Sequence, residues 1–146
     1  MSSYREGGDR FGRHRVIAPE GALPQAATKV DNSLPIYDNE ILIDVDTLNI
    51  DSASFRQMKT AAGGNPQGIA DQVLKNVATM GKQLNPVTGS GGMLLGRVAD
   101  MGPKYSNPAK LKIGDPICTL VSLTLTPLVI DRIKTVHDSE QIDIEG

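Results

Sequence analysis

Cysteine is almost absent: Cys118 is the only one in 146 residues. No disulfide can close within the chain, and no structural zinc site can be built from several cysteines. Both fit a reducing, cytoplasmic setting. Tryptophan is missing and aromatics make up 3 % of the residues, too few for a base-stacking platform. An excess of positive charge is also missing. At a net charge of −2 nothing gathers nucleic acid or an anionic membrane surface. No window approaches the roughly 18 apolar residues that a membrane span needs. The polar start, Met1-Ser2-Ser3-Tyr4-Arg5, does not read as a signal peptide.

Glycine (15) and proline (9) are present in quantity, as expected of a turn-rich β domain, and the length suits one domain with a real core. Residues 1–15 are polar, with Arg5, Arg10, Arg13, His14 and Arg15. They read as a flexible or surface-draped arm, or alternatively as a basic lip over an anionic ligand, with His14 solvated. The domain proper is expected over 16–146. Val16-Ile17-Ala18 is a short strand stopped by Pro19. Residues 40–48 are the clearest strand: Ile41, Ile43 and Val45 alternate with Leu42, Asp44 and Asp46. The two aspartates on the outer face read as solvated acids. Asn65-Pro66 opens a helix that carries Ile69, Val73, Val77 and Met80 on one face, and Gly81 ends it. Residues 93–101 form a strand with a close approach or bulge at Gly96. A long apolar strand is expected over 117–125, resuming at Leu128-Val129-Ile130. Beyond it, alternation continues to Gly146, with His137 alone and exposed. This order predicts a mainly β fold with an inserted helix, as a small, partly open β-barrel.

Two polar stretches stand out. After the strand at 40–48 comes Asn49-Ile50-Asp51-Ser52-Ala53-Ser54. Asp51 or Ser52 caps the next helix, or the cluster lines a site, and the two roles are compatible. After the helix comes Asn85-Pro86-Val87-Thr88-Gly89-Ser90-Gly91-Gly92, where backbone can approach a ligand closely. Gly89-Ser90-Gly91 begins like a dinucleotide fingerprint, but Leu94 holds the third glycine position. A helix end precedes the stretch and a strand follows it, so the phosphate-cradling helix N-terminus is missing. No P-loop, no nucleophile elbow and no metal-ligand spacing is present.

Taken together, 40–52, 85–102 and 112–117 resemble the catalytic, GroES-like half of medium-chain dehydrogenases and quinone reductases. The matching pieces are the strand followed by Leu48-Asn49-Ile50-Asp51, Gly96-Arg97-Val98 with Gly102, and Lys112-Ile113-Gly114-Asp115. The glycine stretch is similar to that of an amine dehydrogenase branch working in lysine fermentation on a small diamino acid. Where zinc-dependent relatives keep a ligating cysteine, Asp51 stands here, and their Gly-His-Glu becomes Gly89-Ser90-Gly91. The resemblance therefore implies no zinc. It implies NAD or NADP, held mainly by a dinucleotide-binding domain expected downstream and absent from this chain. Such a fragment would be inactive alone, and the full-length enzyme homo-oligomeric. The site it implies has Asp51 and Ser52 as catalytic residues, with Asn49, Ser54, Thr88, Gly89, Ser90, Gly91 and Gly92 binding the substrate. Asp51 would hold an ammonium group, and backbone N–H groups of 89–92 a carboxylate. Other outcomes of the resemblance are a zinc-free reductase of quinones or enoyl thioesters, and a stand-alone GroES-like binding or assembly module.

Overall fold

The alternation over 40–48 becomes the central strand of the molecule. The computed structural model describes residues 3–146, so Met1 and Ser2 of the expected arm lie outside the described residues. In chain order the elements are β1 (Val16–Ala18), β2 (Lys29–Val30), β3 (Ile41–Ile50), α1 (Ser52–Ala61), α2 (Pro66–Met80), β4 (Gly92–Met101), β5 (Pro116–Cys118), β6 (Arg132–Val136) and β7 (Gln141–Glu145). Five strands form an antiparallel sheet in the order β5-β4-β3-β7-β6, and β1 and β2 pair separately. The fold is mainly β with an inserted helical segment, and the sheet does not close into a barrel among the described residues.

A bulge at Asp46 sets the faces of β3. Val45 pairs with Gly96 and Thr47 with Leu95, so β3 carries one residue more than β4 across this step. Beyond the bulge Leu48 and Ile50 point to the core, while Thr47 and Asn49 share the other face. Gly96 is a close approach, as expected: a Cβ there would overlap the Asp44 carbonyl. The core joins Leu48, Ile50, Leu94, Ile142 and Ile144 of the sheet to Phe55 and Met58 of α1 and Ile69, Val73 and Val77 of α2. Each such side chain, fully buried, contributes about 1.5–3 kcal/mol before entropy is counted.

The helical segment is a pair rather than a single helix. α2 has the expected punctuation, with Asn65 Oδ1 accepting from Gln67 N at 3.0 Å, Pro66 at the first turn and left-handed Gly81 at its end. α1 forms because Asp51 caps it and Phe55 and Met58, three residues apart on one face, reach the core. No described helix is long and apolar enough to cross a membrane.

Three expectations are corrected. The run 117–125 is not one strand: β5 stops at Cys118, Leu120 is 96 % exposed, and Leu123–Leu125 is a 3-10 turn. Ser122 Oγ accepts from Thr124 N, which starts the turn and takes that amide from any strand partner. Residues 128–130 likewise form no strand. His14 is not solvated, since its side chain is 8 % exposed. Its Nδ1 accepts from Asp9 N at 2.8 Å, which leaves Nε2 to donate to Glu40 Oε2 at 3.0 Å.

The arginines before β1 also turn inward, onto the chain's own carboxylates. Arg15, almost fully buried, donates through Nε and Nη2 to the two Glu40 oxygens at 2.9 and 2.7 Å. Tyr37 N donates to the same carboxylate at 2.6 Å. Arg5 pairs with Asp31 at 3.0 Å and stacks over Tyr37. Burial alone would raise the Glu40 carboxyl, but Arg15, Tyr37 N–H and His14 hold it down at about 2. Arg5 and Arg15 are thereby committed within the fold and do not form a free basic lip.

Candidate functional site

The end of β3 and the start of β4 run side by side, with Asn49 opposite Met93 and Ile50 opposite Gly92. This pairing brings the two polar stretches together. Asp51 Oδ1 accepts from Ser54 N at 2.9 Å and caps α1. Ser54, fully buried on the first turn, shares hydrogen bonds with Thr88 Oγ1 and with Ser90 Oγ at 3.0 Å, and Thr88 and Ser90 are 3.2 Å apart. The result is a triangle of hydroxyls with Thr88 at the surface and Asp51 beside it. Asp51 Oδ2 is buried and has no hydrogen-bond partner within range. Burial pushes the Asp51 carboxyl up, but the Ser54 hydroxyl and amide and the Ser90 hydroxyl outweigh it. The group rests below its ordinary value and is ionised at neutral pH.

The other expected residues are placed differently. Ser52 is exposed at the first position of α1 and makes no side-chain hydrogen bond, and Asn49 makes none either. Val87 N and Thr88 N donate to Asn85 Oδ1, and Gly89 N to Asn85 O at 2.8 Å. Those amides are turned onto Asn85, which leaves them unavailable to an anion. Asn85 is itself buried and donates to Gln57 Oε1 at 2.9 Å. Gly91 and Gly92 serve packing. A Cβ on Gly91 would stand 2.6 Å from Gln83 O, and one on Gly92 would overlap Asn49 O. With backbone on both glycines and β4 in place of a helix N-terminus, these residues do not fit a dinucleotide pyrophosphate. Among the described residues no three His, Cys, Asp or Glu side chains gather as a metal site. A concavity of about 480 Å³ lies between the start of β3 and 127–129 and includes none of the expected site residues.

Two polar groups escaped sequence reading. Lys82 is fully buried without a carboxylate, its Nζ donating to Pro24 O at 2.6 Å and Thr124 O at 2.8 Å. Burial lowers its pKa. His137 is not alone: Nε2 meets Asp143 Oδ2 at 2.7 Å across the β6–β7 hairpin. Asp143 also accepts from Gln141 Nε2 at 2.9 Å and Thr47 Oγ1 at 3.3 Å. These contacts, led by His137, hold its carboxyl below the ordinary range. The alternation of 131–146 around a turn at 138–140 already places 137 and 143 within reach on one face, a signal available once a hairpin is recognised.

Comparison with known proteins identifies the fold's lineage. Residues 14–146 match the family described as the L-erythro-3,5-diaminohexanoate dehydrogenase N-terminal domain. The chain belongs to this family. Its relatives include the L-erythro-3,5-diaminohexanoate dehydrogenases of Acetoanaerobium sticklandii, 50 % identical over 140 residues, and of Fusobacterium nucleatum subsp. nucleatum, 49 % identical over 140. Each alignment covers 95 % of this chain and 41 % of the relative, so the chain spans about two fifths of the length of these curated relatives. The Asp51–Ser54–Thr88–Ser90 cluster lies within the residues that match this N-terminal domain.

Proposed function

We propose that this chain is the substrate-binding part of an enzyme that oxidatively deaminates L-erythro-3,5-diaminohexanoate to 5-amino-3-oxohexanoate and ammonia, a step of lysine fermentation. NAD or NADP is the hydride acceptor in this reading, bound outside the residues described above, and zinc takes no part. The family relationship supports the reaction class. The observation in the chain itself that carries the reading is the ionised Asp51, with one buried oxygen unpartnered, behind the hydroxyls of Ser54, Thr88 and Ser90. A substrate with two ammonium groups needs fixed negative charge and hydroxyl acceptors, and this corner supplies both. The hydroxyls orient the ammonium, and the carboxylate behind them favours its charge.

Asp51→Asn in the full-length protein tests this. Asparagine caps a helix as well as aspartate, so α1 should remain and only the charge is removed. The carboxylate acts on the ammonium from behind the hydroxyls and not by direct contact, so kcat/KM for the diamine should fall about 10-fold, equivalent to about 1.4 kcal/mol. Unchanged kcat/KM would show that Asp51 is a helix cap and nothing more.

A further inference from the structure

The chain has two histidines, and both are paired with a carboxylate. Their second ring nitrogens differ. In His14 Nδ1 is closed by Asp9 N and the ring is buried, so neither nitrogen can exchange a proton with a ligand. In His137 Nε2 lies 2.7 Å from an ionised Asp143, so Nε2 carries the proton and donates it. Nδ1 then holds a lone pair, makes no hydrogen bond, and belongs to a side chain that is 40 % exposed. A carboxylate that fixes the tautomer of an imidazole whose other nitrogen is open is the arrangement of a general base and its orienting group.

The pair's place in the sheet connects it to the site. Asp143 lies opposite Thr47 and Gln141 opposite Asn49, with Ile50 N bonded to Glu140 O at 3.0 Å. The His137–Asp143 pair therefore sits at the same end of the sheet as the β3–α1 junction that holds Asp51. Asp143 on β7 meets His137 directly, Asp138 and Glu140 follow it in the turn, and Lys59 from α1 is bonded to Asp138 at 3.1 Å.

We propose that His137 is the general base that deprotonates the substrate's reacting ammonium, with Asp143 as its positioning residue. This rests on the reading under Proposed function. The step is one proton transfer. The N–H bond of the ammonium breaks, Nδ1–H forms, and the nitrogen keeps the electron pair as a neutral amine. The positive charge moves onto the imidazole, where Asp143 balances it. Neutral amine is the form from which hydride can leave the adjacent carbon, because only it can form the C=N bond as the hydride departs.

The test is the pH profile of kcat/KM for L-erythro-3,5-diaminohexanoate, measured on the full-length protein. The wild type should show an acid limb that depends on His137. His137→Gln should lower the plateau about 100-fold or more and abolish that limb. His137→Ala should regain part of the loss with added imidazole, which a merely structural histidine would not do. Asp143→Asn removes the carboxylate that fixes the His137 tautomer, so kcat should fall while KM changes little. Addition of the diamine without cofactor should shift those histidine ring NMR signals that vanish in His137→Gln. A wild type that does not oxidise the diamine overturns the activity reading, and the base with it. An active wild type whose acid limb and plateau survive in a folded His137→Gln overturns the base alone. If His137→Gln does not fold, absence of both imidazole rescue and the ligand-induced ring shift overturns it.

Discussion

Glu40→Gln separates the electrostatic lock of the N-terminal segment from the rest of the fold. One carboxylate here receives Arg15 through two nitrogens, His14 Nε2 and Tyr37 N, and its side chain is 20 % exposed. The group titrates at about 2 in the folded chain against an ordinary 4.5. That difference corresponds to about 3 kcal/mol of stability carried by the charged form. Glutamine is nearly isosteric and keeps one acceptor oxygen. It has no charge for the buried Arg15 and presents an N–H₂ where an acceptor is needed. At pH 7 the variant should be less stable by about 3 kcal/mol, a size in keeping with breaking a largely buried ion pair.

The sign of the pH dependence follows from the depressed carboxyl. Its stabilisation is fully present above pH 4.5, where the unfolded chain is ionised too, and is lost as pH falls toward 2. The gap between wild type and Glu40→Gln should therefore narrow steadily between about pH 4.5 and 2. Asp31, also held at about 2 by Ser33, Arg5 and Arg15 against burial, remains in the variant and should leave it a shallower acid limb of its own. Urea unfolding at a series of pH values from 7 to 2.5, with m followed to check for two-state behaviour, measures this. Two stability curves that stay parallel across that range would refute the reasoning, because a constant offset is what lost packing gives and lost charge does not.

Three further substitutions test the junctions around the site. Lys82→Met leaves the Thr124 carbonyl without a donor in a dry place, while Pro24 O keeps Ala27 N at 3.3 Å, and at about 1–3 kcal/mol for an unsatisfied group, partly offset by relief of the buried charge, it should destabilise by about 1–2 kcal/mol. The lysine's pKa is lowered by burial, so wild-type stability should also rise as pH climbs toward 10.5, and the methionine variant should lack that rise in urea unfolding. Gly92→Ala, at φ 124° with its Cβ driven into Asn49 O, should lose about 3 kcal/mol, whereas Gly89→Ala, at φ 75° with open space around it, should lose about 1 kcal/mol. Equal losses in thermal unfolding would contradict a packing role for Gly92.

Legibility in the sequence followed the range of the forces. Asn65, Pro66 and Gly81 act within one turn of the helix they bound, so α2 was readable to the residue. The alternation of Ile41, Ile43 and Val45 was readable for the same reason, but the bulge at Asp46 was not, because it exists only against the partner strand. The run 117–125 misled because apolar composition reports burial and says nothing of backbone partners. Thr124 O is claimed by Lys82 and Thr124 N by Ser122, and neither claim is visible from the run itself. Ser54, Thr88 and Ser90 were readable as polar residues at strand ends. That they meet depends on the β3–β4 register, which places Ile50 against Gly92.

The two histidines carry this lesson furthest. In the sequence each looks like a solvated residue near one end of the chain, and composition gives no reason to tell them apart. His14 finds Glu40 twenty-six residues away and His137 finds Asp143 six residues away, and each pairing hands one proton to one nitrogen. Chemistry is then decided by what the remaining nitrogen meets. A backbone N–H closes His14 and makes it part of the lock around Arg15. Nothing closes His137, so it keeps an acceptor at the sheet end where Asp51 supplies negative charge. On the reading proposed above, this chain holds in place charge and proton affinity, the two things an ammonium substrate must meet before it can be oxidised.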